Sequence, residues 1–123
     1  MHRDLKPENV LIKDGVFKLA DFGFCKELSV EMMTRTMLGS PLYMAPEVLR
    51  GEAYTVNADV WSMGVILYEM LTGKCPYSSN SIASLISAID GKPLQFYQKN
   101  INYNVKGFIT KCLQKECKLR MSW

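Results

Sequence analysis

The densest cluster of reactive and charged side chains in this chain of 123 residues lies in its opening stretch, MHRDLKPENVLI. His2, Arg3, Asp4, Lys6, Glu8 and Asn9 crowd into a region where chain ends are usually least structured. Asp4 and Asn9 are five positions apart, close enough for a single loop to present both side chains to one site. A second carboxylate, Asp21, follows twelve residues after Asn9. Zinc chemistry lacks its ligands. His2 is the only histidine, and the cysteines at 25, 75, 112 and 117 never form a CxxC pair.

These groups need elements to hold them. Val10-Leu11-Ile12 and Val16-Phe17-Lys18-Leu19 are β-prone runs on either side of Asp14-Gly15, a two-residue hairpin signal, which predicts a small antiparallel ribbon. Asp21 to Pro46 is rich in Thr, Met, Gly and Ser without a sustained period and reads as a long functional loop. Asn57 to Leu71 is apolar around most of the helical wheel and stops at Gly73, as expected of a helix in the middle of a core. Ser81 to Ile89 and Val105 to Leu113 carry apolar residues at i, i+3, i+4 and i+7, so each predicts an amphipathic helix packed on a partner. No repeat or linker interrupts the chain, which reads as one packed unit.

Composition narrows the function. With 48% hydrophobic and 22% charged residues the chain can bury a core. Its net charge of +3 comes from 15 basic and 12 acidic residues scattered along the sequence, without the basic stripe of a nucleic-acid binder. The apolar stretch around Val65 to Leu67 is closed by Glu69, and no charged-then-apolar leader is visible, so neither a membrane span nor a signal segment is expected. Unpaired cysteine spacing points to free thiols in a reducing, cytoplasmic compartment.

His2-Arg3-Asp4-Leu5-Lys6-Pro7-Glu8-Asn9 matches H-R-D-L-x-x-x-N at every fixed position, Asp21-Phe22-Gly23 follows, and Ala45-Pro46-Glu47 comes third in order. On these three signatures the chain resembles the eukaryotic protein kinases over essentially its whole length. The resemblance implies a mainly α (α+β) fold, a kinase C-terminal lobe with a small β-ribbon, and makes residues 1–123 a partial kinase domain. The phrases DFGFCK, MMTRTMLGSPLYMAPEVL and LTGKCPY look most like autophagy-initiating Ser/Thr kinases, then polo-like and calmodulin-dependent ones.

The resemblance also implies roles. Phosphoryl transfer from ATP runs through a loose transition state, so catalysis is mostly positioning and charge neutralisation. Asp4 is the implied base and orienter, and Asn9 with Asp21 the implied Mg2+ ligands. Lys6 is the Ser/Thr-kinase lysine for the transferring phosphoryl group. Ser40 is a hydroxyl meeting the base and this lysine, and Ser40, Pro41, Leu42 and Tyr43 form the substrate platform. Leu11, with Ile66 and Met70, matches the apolar column below adenine, although core packing explains these residues equally well. His2 and Phe22 are structural. Glu47 and Arg120 look like the family's ion pair. Asp59 matches the acceptor of catalytic-loop amides, whereas sequence alone favours a helix N-cap. Arg3 and Lys26 match cations that pair with a phosphorylated Thr36, the product of an upstream activating kinase.

The family's Gly-rich loop, strand lysine, partner glutamate and hinge precede the catalytic loop, and no Gly-x-Gly occurs in this sequence. The chain therefore reads as the C-terminal lobe of a protein Ser/Thr kinase, inactive in isolation and completed by an N-terminal lobe. The alternative is a noncatalytic remnant that binds kinases or substrates.

Overall fold

The computed structural model describes residues 2–20, 40–52 and 55–122. Strands β1 (Val10–Lys13) and β2 (Val16–Leu19) pair antiparallel, with Val10 opposite Leu19 and Lys13 opposite Val16. A tight turn that matches strand twist needs positive φ at both central residues. Asp14 (φ 53°) and Gly15 (φ 74°) supply it.

Everything else described is helical or irregular. A 3-10 turn at Ser40–Tyr43 leads into α1 (Pro46–Leu49), so this part of the expected long loop is ordered helical turn. Pro46 at the first helical position loses no hydrogen bond, because that amide has no intrahelical partner in any case. Then come α2 (Val56–Thr72), α3 (Ile82–Gly91) and α4 (Tyr103–Cys112). Ser81 caps α3, its side chain accepting the Ser84 amide at 3.2 Å. Gly73, at φ 75°, ends α2 in the left-handed conformation and donates its amide to the Glu69 carbonyl.

Helix α2 is the axle of the core. Ala58, Val60, Trp61, Val65 and Tyr68 are buried along it, and Leu85, Ile89, Ile109 and Leu113 close around it from α3 and the end of α4. Gly64 sets how closely α4 approaches. A Cβ added there would lie 2.7 Å from the Cys112 Cβ and 3.0 Å from Leu113 Cδ2.

Two apolar sets lie elsewhere than their spacing suggests. Ile109, Cys112 and Leu113 are buried, whereas Val105 and Phe108 stay half-exposed, because α4 meets α2 at its C-terminal end opposite Gly64. Leu11 (53% exposed) and Met70 (74%) face outward, which removes core packing as their explanation. Among the described residues no helix is long and apolar enough to cross a membrane.

Candidate active site

The site is anchored on α2. Thr55 occupies the N-cap position, so Asp59 lies inside the helix and accepts from outside it. Its Oδ2 accepts the His2 amide at 2.6 Å and its Oδ1 accepts the Arg3 amide at 2.9 Å. Charge-assisted bonds of this kind are the stronger sort, and here one buried carboxylate fastens two consecutive amides to the core helix. Arg3 takes up the left-handed conformation at φ 75°, which turns the chain sharply where the loop begins. Its guanidinium makes no ion pair among the described residues.

His2 joins this loop to the ribbon. The Asp4 amide donates to His2 Nδ1 at 3.4 Å, so the proton sits on Nε2, which donates to the Ala20 carbonyl at 2.9 Å. The Ala20 amide in turn donates to the Asn9 carbonyl at 2.8 Å. These bonds bring the chain leading into Asp21 alongside Asn9.

Within the loop, a 3-10 turn at Pro7–Asn9 folds Asn9 back over Asp4. Asn9 Nδ2 donates to the Asp4 backbone carbonyl at 2.7 Å and to its Oδ2 at 3.2 Å. Lys6 Nζ stands 2.8 Å from the same Oδ2. One carboxylate oxygen of Asp4 is thus clamped, and its Oδ1 makes no hydrogen bond among the described residues. Asn9 directs its donor group at Asp4, which fixes the flip of the amide and leaves Oδ1 as a hard oxygen donor. That is the atom type Mg2+ takes, so Asn9 fits a metal-ligand role. Among the described residues no three His, Cys, Asp or Glu side chains cluster as a self-sufficient metal site.

Asp21, Phe22, Lys26 and Thr36 lie outside the described residues. Ser40 opens the 3-10 turn that continues through Pro41, Leu42 and Tyr43. Pro41 and Tyr43 are buried and Leu42 is half-buried. The turn is bolted to α2 twice. Ser62 Oγ donates to the Tyr43 carbonyl at 2.7 Å, and the Tyr43 hydroxyl donates to Glu69 Oε2 at 2.7 Å. Burial, reinforced by Glu69, raises the Tyr43 hydroxyl far above its ordinary pKa. Cys75 shares this cluster, and burial with the Glu69 charge behind it pushes its thiol up to about 11. The Tyr43–Glu69–Cys75 cluster has no local sequence signal, since it joins a 3-10 turn to a helix and to the irregular segment after that helix.

Glu47 begins α1, and both of its carboxylate oxygens accept from Arg120, at 2.6 and 2.9 Å. Arg120 also donates to the Asn57 and Gln114 carbonyls, and its guanidinium lies 5.2 Å from the centroid of the Trp61 ring. Every part of this buried cation is therefore engaged.

Comparison with known proteins agrees with this architecture. The protein kinase domain family matches residues 1–123. The chain is 42% identical to serine/threonine-protein kinase atg1 of Dictyostelium discoideum, covering all of this chain and 19% of that protein. It is 41% identical to serine/threonine-protein kinase TIO of Arabidopsis thaliana and to serine/threonine-protein kinase 36 of Mus musculus, again across the whole chain and 9% of each relative. The chain belongs to the protein kinase family, among its Ser/Thr members. It spans about a fifth or less of the length of these relatives.

Proposed function

We propose that this chain provides the catalytic-loop half of a protein serine/threonine kinase, which moves the terminal phosphoryl group of ATP to a Ser or Thr hydroxyl of a protein substrate. The observation that carries this reading is the clamp on Asp4. Lys6 and Asn9 hold one carboxylate oxygen and leave Oδ1 for the hydroxyl. A loop built only to bind partners has no use for that arrangement.

In this reading Asp4 Oδ1 accepts the hydroxyl proton as the new P–O bond forms and the bond from the terminal phosphorus to the β-phosphate oxygen breaks, releasing ADP, and Asp4 is held in line by the Asp59 anchor behind it. Lys6 lies within reach of both Asp4 and the phosphoryl group, whose charge it offsets. Asn9 Oδ1 and Asp21 would hold Mg2+, which would supply positive charge to neutralise the phosphate. Leu11 offers an exposed apolar face to adenine. The turn Ser40–Tyr43 is the platform for the substrate, held rigid by Ser62 and Glu69.

The nucleotide is gripped from the other side by an N-terminal lobe, against which exposed Ile12, Phe17 and Met70 offer apolar surface. Arg3 and Lys26 receive a phosphate on Thr36, placed there by an activating kinase. The setting is the reducing cytoplasm, in keeping with free thiols at Cys75, Cys112 and Cys117. The test is transfer of labelled phosphate from ATP to a Ser/Thr peptide by this chain joined to a kinase N-terminal lobe, against the chain alone. Transfer by the joined protein supports the reading, and no transfer in either form contradicts it.

A further inference from the structure

On the side of α2 away from the catalytic loop lies a cleft of about 220 Å³ between α2, the turn after it, and the segment that follows α3. Tyr68, Tyr77 and Tyr97 wall it together with Pro76 and Pro93, and Lys92 and Ser78 line it as well. Tyr77 is the informative residue. It is 5% exposed, and its ring is stacked on Trp61 at 6.3 Å between centroids and 12° between planes, so its position is set by the core. Its hydroxyl is not shut off from solvent, since the buried side-chain polar atoms without a partner among the described residues are Trp61 Nε1 and Gln98 Oε1. The hydroxyls of Tyr68 and Tyr97 are engaged by Gln95, at 2.6 Å to its carbonyl and 2.5 Å to its Oε1, whereas that of Tyr77 makes no hydrogen bond among the described residues. Burial raises the Tyr77 pKa, which keeps this group a donor.

The stretch of chain that supplies Lys92, Pro93, Gln95 and Tyr97 to the cleft is one-sided in charge. Residues 92–123 hold seven Lys and Arg against the single acid Glu116, while residues 1–91 hold eight against eleven, so the net charge of +3 conceals a strongly basic last quarter. Arg120 is taken up by Glu47. The six lysines of this region form no ion pair among the described residues. Lys115 Nζ donates to the Asp90 and Lys92 carbonyls at 2.9 and 3.1 Å, which holds a second cation beside Lys92. Tyr97 (79% exposed) and Tyr103 (86%) stand out from the same stretch of chain.

We propose that this cleft is a docking site for an acidic peptide segment of a protein partner. A side-chain carboxylate enters to meet the Tyr77 hydroxyl, Ser78 and Lys92, and the flanking acids of the segment run over the surrounding lysines. A peptide is favoured over a small anion because lysines without an ion pair among the described residues continue along the chain past Lys92. It is favoured over nucleic acid because two prolines and three tyrosines fit the edges of an extended chain. The site is separate from the phosphoryl-transfer reading and does not depend on it.

The experiment is a fluorescence-anisotropy titration of the full chain with a labelled Glu-Ala repeat peptide, its Gln-Ala counterpart, and a single-stranded oligonucleotide of equal charge. The wild type should bind the Glu-Ala peptide and not the Gln-Ala one. Tyr77→Phe, which removes one oxygen from an intact stack, and Lys92→Gln, on the exposed surface, should each weaken that binding by about tenfold. Equal binding by wild type and both variants, tighter binding of the oligonucleotide, or no peptide binding would overturn the proposal.

Discussion

Glu47 and Arg120, 73 positions apart in sequence, meet in a two-point ion pair from which water is shut out, with 8% and 0% of their side chains exposed. The pair joins the helix that ends the substrate segment to the last turn of the described chain. Each charge is buried on account of the other. Removing one therefore leaves an uncompensated ion, which costs about 3–5 kcal/mol. Glu47→Gln should lower the unfolding free energy measured in urea by that amount, and replacing both residues with apolar ones of similar size should cost much less than either single change. A double-variant loss equal to the sum of the two single losses would show that the pair is not coupled.

Gly64 shows what lay beyond sequence reading. The apolar wheel of α2 announced a core helix, and Asp14-Gly15 announced the hairpin, because both signals are local. Nothing local says that α4 crosses α2 at Gly64, or that Val105 and Phe108 stay outside the contact made by Cys112 and Leu113. At the site, the spacing of Asp4 and Asn9 was legible, while Asp59 read better as a cap until the structure put Thr55 in that position. The Tyr43–Glu69 bond was invisible for the same reason as the crossing at Gly64, since it spans 26 residues.

The same crossing yields a prediction. Gly64→Ala places a methyl group 2.7 Å from the Cys112 Cβ and should destabilise the fold by about 1–3 kcal/mol through overpacking. Adding Cys112→Gly should recover part of that loss. Thermal denaturation of the two variants measures it, and a double variant less stable than either single one would count against the contact.

The thiol of Cys75 sets an alkaline limit. Its pKa is raised from 9.0 to about 11 by burial first and the Glu69 charge second, so the folded state holds this proton more tightly than the unfolded chain does. Stability from this group is complete below pH 9 and is lost as pH rises towards 11. Cys75→Ser should flatten the fall in the urea midpoint over that window. An unchanged slope would assign the alkaline sensitivity to other groups, of which Tyr43, Tyr68 and Tyr77 are also raised by burial.

Asp59→Asn keeps the shape of the anchor and removes its charge. The His2 and Arg3 amides should lose about 1–3 kcal/mol of protection, read as faster hydrogen exchange at those two positions while the amides of α2 stay slow. Uniformly faster exchange across α2 would mean that Asp59 supports the helix rather than the loop.

The most direct test of the phosphoryl-transfer reading is the rate of phosphate transfer to a Ser/Thr peptide by the chain joined to an N-terminal lobe, compared with the same protein carrying Asp4→Asn. Asn at this position can still accept from Asn9 but takes no proton from a hydroxyl. The account predicts a fall in kcat of about 10² to 10⁴-fold with the affinity for ATP unchanged. A rate equal to that of the wild type would contradict it.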